Sequence, residues 1–206
     1  MSAPEPSRGR GRPRDPRTDT AILRAALDLF IAGGVEGTSI EQIAQRAGVG
    51  KPTIYRRWSS KEELLASAIE TIRDQFPEPP AADTTNLSVA EVIRLVLPAA
   101  ARTLAEDRFR ALVARIFGTS TSHPALMETY WQHYVLPRRR ATWTLLERAE
   151  RDGVLPAGTD YDVLIDMLVG AVLYRAIQPV PLTTAEAHRY LETVYRQAGL
   201  LPPHHT

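Results

Sequence analysis

The amino-acid sequence predicts an all-α protein with a small N-terminal helical head and a larger helical body. Each long segment with regularly spaced apolar residues follows the 3.6-residue period of a helix, and no segment alternates convincingly as a strand would. A tight turn flanked by two short helical segments lies near the N-terminus. The 206 residues, 44% of them hydrophobic, are enough for a head and a body, with a single domain as the alternative.

We expect four consecutive segments along the chain. They are a disordered basic arm (1–17), a three-helix head (18–65), a helical body (66–200) and a short tail (201–206). The arm is assigned on composition, because five arginines stand among glycines and prolines with Asp15 as the one opposing charge between 8 and 17. Such a segment cannot bury a core.

A short motif in the arm, Arg10-Gly11-Arg12-Pro13, resembles the core of an AT-hook. In that arrangement a narrow, extended Arg-Gly-Arg lies in the minor groove of A·T-rich DNA. Arg10 and Arg12 are therefore candidate DNA contacts, with a solubilising tail as the alternative. Only two of the chain's 25 basic residues are Lys, so the arginine content can also reflect codon bias.

Charge is distributed unevenly along the chain. Residues 1–57 contain ten Lys and Arg against six Asp and Glu, a net charge of +4, whereas residues 58–206 contain fifteen against eighteen, a net charge of −3. A positive N-terminal third on a slightly acidic remainder indicates one end that faces nucleic acid and another end with a different role.

The first head helix should run from about Asp19 to Ala32 and end at the Gly33-Gly34 pair. Its inward residues at helical spacing are Ile22, Ala26, Leu29 and Phe30.

The second head helix should begin at a capping box. Ser39 can cap it with its hydroxyl, and Gln42, three residues later, can reach back to the cap. Gly48 follows the last apolar residue of the period, where a left-handed backbone costs glycine little, so the chain is expected to turn there. The residues predicted to share the buried face are Ile40, Ile43, Ala44 and Ala47.

The third head helix should start directly after this turn. Pro52 suits the first turn of a helix, and Ile54 is the clearly apolar residue that it can bury. The side chains left outward can donate to phosphate oxygens and base edges, as a recognition helix requires. They are Lys51, Thr53, Tyr55, Arg56 and Arg57. The alternative is a helical hairpin with a solvated basic end.

A fourth helix should follow Ser59-Ser60 and cross from the head into the body. Its predicted buried residues are Leu64, Leu65, Ala68, Ile69 and Ile72. Periodicity is then lost, and Pro77 to Asn86 is the predicted linker or loop.

In the body we predict a helix from Ser88 to Ala105 with Pro98 inside it, and a longer helix or helix pair from Pro124 to Asp152 with Pro137 inside it. Each proline removes a backbone hydrogen bond and should kink its helix, which leaves gaps between helices. Aromatic and polar-tipped residues near these bends suit a small-molecule cavity, with a packed core as the alternative. The candidate ligand residues are Phe109, Phe117, Met127, Tyr130, Trp131, His133, Tyr134, Trp143 and Tyr174.

The last two predicted helices run from Tyr161 to Gln178 and from Thr183 to Ala198. The first is apolar over most of its circumference, so it must be covered on more than one side, by the body or by a second copy of the chain. Gly170 and Ala171 would allow close approach of another helix. A monomer whose last helices close the core is the alternative.

Residues 11–14 (Gly-Arg-Pro-Arg) and 21–69 together resemble the DNA-binding domain of the TetR family of transcriptional regulators. The similarity rests on the Gly-Val-Glu-Gly-Thr-Ser-Ile connection, the Ala-Gly-Val-Gly turn, the Thr-Ile-Tyr segment and the Ser-Lys-Glu-Glu-Leu continuation, in that order. The resemblance implies a head that binds a palindromic operator, in which Trp58 and Ile54 belong to the small core.

By the same resemblance, Thr38, Lys51, Tyr55 and Lys61 match positions that contact DNA phosphates. Thr53, Arg56 and Arg57 match positions that face base edges.

The family resemblance also implies a homodimer joined by a four-helix bundle from the last two helices of each subunit. The residues expected at this interface are Val163, Met167, Gly170, Ala171, Ala187, Tyr190, Leu191 and Val194. It further implies a body that responds to a small hydrophobic or amphipathic effector.

Composition and motifs give little support for catalysis. The chain has no cysteine, its histidines lack metal-ligand spacing, and no His or Cys completes a site with Asp160, Asp162 and Asp166. We interpret these aspartates as solvated residues or as partners of Arg175. No cofactor or metal is expected, and no run is long and apolar enough to span a membrane, so the cytoplasm, with the nucleoid, is the expected location.

The expected function is therefore a DNA-binding transcriptional regulator, most simply a repressor released by its effector. Two alternatives stay open: a DNA-binding protein regulated by a protein partner or by none, and a small all-α enzyme or carrier that retains the head as a relic.

Overall fold

A computed structural model describes residues 16–72, 84 and 86–203 of the chain. Within these residues every regular element is helical, which confirms the all-α prediction. The head comprises α1 (Pro16–Gly33), α2 (Ile40–Ala47) and α3 (Lys51–Tyr55), and α4 (Lys61–Glu70) follows it. The body comprises α5 (Val89–Ala105), α6 (Asp107–Thr119), α7 (Pro124–Tyr130), α8 (Leu136–Arg151), α9 (Tyr161–Ala176) and α10 (Thr184–Gln197).

Helix α1 begins three residues earlier than its sequence pattern predicts. Thr20 returns a hydrogen bond from its hydroxyl to the carbonyl of Pro16 (3.1 Å), so the first turn already forms within the last two residues assigned to the basic arm. The remainder of that arm, with Arg10 and Arg12, lies outside the described residues, as do most of the predicted linker from Pro77 to Asn86 and the end of the tail.

The head core forms where α1, α2, α3 and α4 meet. Ile22 and Phe30 of α1 are fully buried, as are Ile43 of α2 and Ile54 of α3. The apolar residues predicted for α4, from Leu64 to Ile72, are also completely buried. Burial of large aliphatic side chains is the main term that stabilises so small a unit.

Helix α4 joins the head to the body. It packs against α1 on the head side and against α7 on the body side. Its first turn is capped by Ser60, whose Oγ accepts the N–H of Glu63 (3.0 Å).

In the body, α5 begins at a capping box between Ser88 and Glu91 and continues through Pro98. Helix α6 is an element that the sequence pattern did not reveal, because its polar residues obscure the apolar face formed by Phe109, Leu112, Val113 and Ile116.

The helix predicted from Pro124 to Asp152 is interrupted by one π-helical turn from Trp131 to Val135, directly before Pro137. The ring of Pro137 would clash with the carbonyl of His133 in a continuous α-helix and could not donate to it. A wider turn, in which the N–H of Leu136 reaches the carbonyl of Trp131, accommodates the proline.

Helices α9 and α10 complete the body, with α10 packed against α5. Ala187 and Leu191 of α10 are buried in the protomer's own core, in contrast to their predicted place at a dimer interface.

Asp162 and Asp166 accept hydrogen bonds from Arg139 of α8, at 2.6 Å and 2.5 Å, and not from Arg175, the partner in one of the two interpretations of the sequence. Both carboxylates stay more than half exposed, as the other interpretation expects. Arg175 instead donates to the Gln178 side chain and the Val180 carbonyl. These contacts make Arg139 the electrostatic link between α8 and α9.

Across the described residues, no helix has the length and apolarity that a membrane crossing requires. The same residues contain no cluster of three or more His, Asp or Glu side chains arranged to hold a metal ion.

Candidate nucleic-acid interface

Helix α2 is held by the capping box that the sequence predicts. The hydroxyl of Ser39 accepts the backbone N–H of Gln42 (3.2 Å), and the side-chain oxygen of Gln42 accepts the N–H of Ser39 (2.9 Å). Gly48 ends the helix at φ 68°, and Val49 donates its N–H to the carbonyl of Ala44 (2.9 Å). The turn between the two helices is therefore closed by hydrogen bonds that need a left-handed residue at 48.

Helix α3 is short and is anchored from one side. Ile54 is fully buried, and Trp58, just beyond the helix, is buried beside it. The N–H of Trp58 donates to the carbonyl of Ile54 (3.0 Å), which continues the helical turn after Tyr55. This anchoring fixes which side chains face away from the core.

Tyr55 and Arg56 are exposed on the side of this segment away from the core, as Lys51 is at its start. Tyr55 is 55% exposed, and Arg56 is exposed while one of its nitrogens donates to the hydroxyl of Thr53 (3.2 Å). An exposed guanidinium steadied by a neighbouring hydroxyl is pre-oriented for hydrogen bonds to a base edge.

Lys51, at the start of α3, pairs with Glu41 of α2 across the turn (2.7 Å). The hydrogen bond between them lowers the pKa of Glu41 and raises the pKa of Lys51. Both side chains are solvent-exposed, so a DNA phosphate could take the place of Glu41.

Arg57 does not point outward as predicted. Its guanidinium forms an ion pair with Asp19 of α1 and also donates to the carbonyl of Thr53 (2.9 Å), leaving only 12% of the side chain exposed. The sequence shows Arg57 as one more basic residue beside Arg56, because the partner is 38 positions away.

Two residues predicted to contact phosphates serve the loop between α1 and α2. Thr38, which matches a phosphate-contacting position of the family, is buried, and its hydroxyl donates to the carbonyl of Gly34 (2.7 Å). Lys61, at the start of α4, donates from Nζ to the carbonyl of Val35 (2.9 Å). Its partner is a neutral carbonyl, so the charge of Lys61 is not neutralised by this bond.

A charge cluster that the sequence does not predict lies behind the helix-turn-helix. Asp28 of α1 accepts from Arg46 of α2 (3.1 Å) and from Arg108 of the body helix α6 (2.7 Å). The sequence does not predict this cluster, because its three residues lie on three different helices and so show no helical spacing.

The predicted ligand residues fall into two groups. Phe109, Tyr130 and Tyr134 are buried and Met127 is packed against the same core. Tyr130 and Tyr134 stack at 5.1 Å, and the guanidinium of Arg138 lies over the Tyr134 ring (3.7 Å). Burial raises the pKa of the Tyr130 hydroxyl. These contacts form one aromatic cluster beside the π-helical turn.

The other predicted ligand residues lie at the surface. They are Phe117, Trp131, His133, Trp143 and Tyr174. His133 is 3.5 Å from the carboxylate of Glu70 at the end of α4. Trp143 makes an edge contact with Tyr161 (5.2 Å) and lines a surface cleft of about 350 Å³ between α8 and α9. The nine predicted residues are thus not gathered around one cavity.

Helix α9 presents an apolar stripe to solvent. Val163, Met167 and Tyr174 are 54%, 66% and 67% exposed, and Gly170 and Ile177 lie between and after them. The spacing of these five residues is three or four, so they follow one face of the helix. We call these five residues the α9 stripe. Of the other predicted interface residues, Ala171, Tyr190 and Val194 are only partly buried.

Two family models match the chain. The model described as "Bacterial regulatory proteins, tetR family" matches residues 22–68, and the model described as "Tetracyclin repressor-like, C-terminal domain" matches residues 81–194. The first covers the head from Ile22 onward and most of α4, and the second covers most of the body.

Curated relatives are similar over most of their length. The HTH-type transcriptional regulator YdeS of Bacillus subtilis is 34% identical over 169 residues, which is 82% of either chain. The regulator Rv1556 of Mycobacterium tuberculosis is 31% identical over 178 residues, again 82% of either chain.

The fold is also that of solved structures. The transcriptional regulator FadR of Bacillus subtilis, crystallised with stearoyl-CoA, superposes with a TM-score of 0.70 at 21% identity. The match covers 85% of this chain and 96% of that one.

Proposed function

The chain belongs to the TetR family of helix-turn-helix transcriptional regulators, and we propose that it is a repressor that binds a palindromic operator as a homodimer. The observation that carries this proposal is the geometry of α3. A buried Ile54 and a buried Trp58 hold one side of the segment, and the exposed Tyr55 and Arg56 occupy the other.

In this proposal Arg56 reads base edges, with Thr53 beside it. Lys51, Tyr55 and Lys61 contact phosphates on either side, which orients α3 in the major groove. Arg57 has a supporting role, because its guanidinium is committed to Asp19 and to the backbone of Thr53. Thr38 supports the preceding loop in the same way.

The homodimer is proposed from the α9 stripe. Large apolar side chains that are more than half exposed along one helix face are unfavourable in water, and a second copy of the same face would cover them. A two-fold axis at this face would place two heads on one side of a duplex, as an operator with two half-sites requires.

A small hydrophobic or amphipathic effector is the proposed signal. The aromatic cluster of Tyr130, Tyr134 and Arg138 lies next to a π-helical turn, a distortion that occurs often at functional sites. The turn also contains His133, which pairs with Glu70 of the helix that reaches the head. Effector binding near this turn would favour a head spacing that no longer fits successive grooves, and DNA would be released.

The stearoyl-CoA complex of the fold neighbour FadR supports an effector of this general kind. The packed state of Phe109, Tyr130 and Tyr134 favours the other candidate, a DNA-binding regulator controlled by a protein partner or by no ligand. A thermal-shift screen with hydrophobic compounds separates the two, because a ligand that binds the folded state raises its melting temperature. No shift with any compound would support the second candidate.

The DNA-binding part is tested by selecting bound sequences from a random duplex pool with the purified protein, followed by a shift assay on the enriched sequence. The proposal predicts a palindrome. Binding that is salt-sensitive but without sequence preference would make the head a nonspecific module and would remove the basis for the repressor assignment.

A further inference from the structure

The loop between α1 and α2 is completed by the body. Helix α1 ends at Gly33, and the carbonyls at such an end have no partner within the helix. Phe30 and Gly33 offer their carbonyls to the N–H groups of Gly34 (2.7 Å) and Gly37 (3.2 Å). The two carbonyls between them, those of Ile31 and Ala32, have a different partner.

Arg115 of the body helix α6 supplies that partner. Its Nε donates to the carbonyl of Ile31 (3.2 Å), and a terminal nitrogen donates to the carbonyl of Ala32 (2.8 Å). The guanidinium therefore caps α1 from another domain, at the helix end where a positive charge is favourable.

The next two carbonyls of the loop, those of Gly34 and Val35, are bonded by the head itself and by α4. Gly34 accepts from the Thr38 hydroxyl, and Val35 accepts from the Thr38 N–H (3.3 Å) and from Lys61. Arg115 thus bonds the last turn of α1, from which the loop leads to the cap of α2 at Ser39.

A second arginine of α6, Arg108, also contacts the head. It lies two turns before Arg115 in the same helix. Arg108 bonds one carboxylate oxygen of Asp28 (2.7 Å), while the other oxygen of Asp28 bonds Arg46 of α2 (3.1 Å). The side chain of Asp28 is 16% exposed, so this shared carboxylate is better shielded than a surface pair. The body thereby contacts α1 directly, and it is linked to α2 through the carboxylate of Asp28.

A third contact reaches the same loop. His123, just before α7, lies 3.6 Å from the carboxylate of Glu36. Helix α6 and the residues after it therefore contact the head at three points: at Asp28 of α1, at the last turn of α1 and in the loop beyond.

We propose that Arg108 and Arg115 are positioning residues that fix the angle of the head on the body, and that they thereby make the dimer selective for one spacing between operator half-sites. This inference rests on the proposed operator-binding dimer. If α6 did not hold α1 at these points, each head would pivot about α4, and the two recognition helices would reach half-sites over a wider range of separations.

The test compares the operator obtained by selection with versions whose central spacer is longer or shorter by one and two base pairs. The wild-type chain should bind the selected spacing best. For the double variant Arg108→Met/Arg115→Met, the ratio of affinities between the selected and the altered spacings should fall about fivefold to tenfold, as expected for loss of several partly exposed charge-assisted contacts. Affinity for an isolated half-site should not change, because neither residue lies on the face of α3.

Arg102→Met is the matched control. It removes one arginine from α5, where the exposed guanidinium makes no ion pair or hydrogen bond with the described part of the chain. This variant should keep the wild-type spacing preference. The single variant Arg115→Met should show part of the effect of the double variant. It therefore serves as the test if the double variant folds poorly.

Head positions can also be measured without DNA. The chain contains no cysteine, so Gln45→Cys on the exposed side of α2 gives one spin-label site per subunit. The distance distribution between the two labels of a dimer should be narrow with native arginines and broader in the double variant. Equal widths together with equal spacing preference would overturn the inference and leave the operator-binding dimer intact. A selection that yields no palindrome, or labels that show no pair distance, would overturn both.

Discussion

Arg57, two residues beyond the end of the recognition helix, forms an ion pair with Asp19 in the first helix of the head. The pair joins the two ends of the head, because Asp19 lies in the first turn of α1 and Arg57 follows α3. The additional bond from Arg57 to the carbonyl of Thr53 ties the backbone of α3 to the same guanidinium. The side chain therefore holds α3 in place more than it presents a charge to DNA.

Replacing Arg57 should consequently destabilise the head. We expect Arg57→Met to lower the free energy of unfolding by about 1–3 kcal/mol, since it leaves a partly buried Asp19 without its charged partner. Denaturant unfolding measures this change. Unchanged stability, together with a lost preference for the operator over random DNA, would show that Arg57 reads bases instead.

Arg56→Ala should impair DNA reading and leave the stability of the head nearly unchanged. Its side chain is exposed and bonds only Thr53 among the described residues, so stability should hardly change. Discrimination between operator and random duplex should fall by about 1–3 kcal/mol, the usual contribution of an arginine that reads a base. Titrations on both duplexes at one salt concentration measure the ratio, and an equal loss on both would contradict a base-reading role.

The ion pair between Lys51 and Glu41 should lower the affinity for DNA, because Lys51 must leave Glu41 before it can contact a phosphate. Glu41→Gln should raise affinity for any duplex, because it frees Lys51 for a phosphate and removes a negative charge from the binding face. Lys51→Gln should weaken binding to all sequences and reduce the slope of log affinity against log salt by about 1. Glu147→Gln, which removes an exposed carboxylate from α8, is the matched control. Affinity that does not change in Glu41→Gln would show that the pair does not compete with phosphate.

The cap of α5 should be visible in the titration of Glu91. Hydrogen bonds from the Ser88 hydroxyl and backbone lower the pKa of this carboxylate below its ordinary 4.5. A lowered pKa in the folded state means that the cap stabilises the protein above pH 4.5 and that this stabilisation is lost as pH falls through the lowered value. In an NMR titration, Ser88→Ala should raise the pKa of Glu91 part of the way back, because the backbone N–H remains.

Glu186, whose pKa is lowered by the equivalent cap at Thr183, is the internal reference for that titration. Its pKa should not respond to Ser88→Ala, and Thr183→Ala should give the reverse pattern. The same pKa for Glu91 with and without the Ser88 hydroxyl would show that the cap is not formed in solution.

The parts of this structure that the sequence predicts are those whose cause is local. Ser39 and Gln42 are three residues apart, and Gly48 follows the helix that it ends, so the capping box and the turn could be derived from spacing alone. The same holds for the buried Ile54 and for the start of α5 at Ser88.

The parts that the sequence does not predict depend on pairing between distant elements. With 25 basic and 24 acidic residues, no pattern distinguishes Arg139 from Arg175 as the partner of Asp162, or identifies Asp19 as the partner of Arg57. The burial of Ala187 and Leu191 in the protomer's own core was not predictable for a related reason. The apolar positions Ala187 and Leu191 are spaced for burial, but spacing does not say whether α5 or a second subunit covers them.

The central claim is that two copies of the chain, joined through the α9 stripe, bind one operator. Sedimentation of the selected, fluorescently labelled duplex with the protein tests it most directly. We predict two chains per palindromic duplex, much weaker binding to a single half-site, and loss of the two-chain complex in Met167→Glu, which places a charge in the middle of the stripe. One chain per duplex, or equal affinity for the half-site and the full palindrome, would contradict the account.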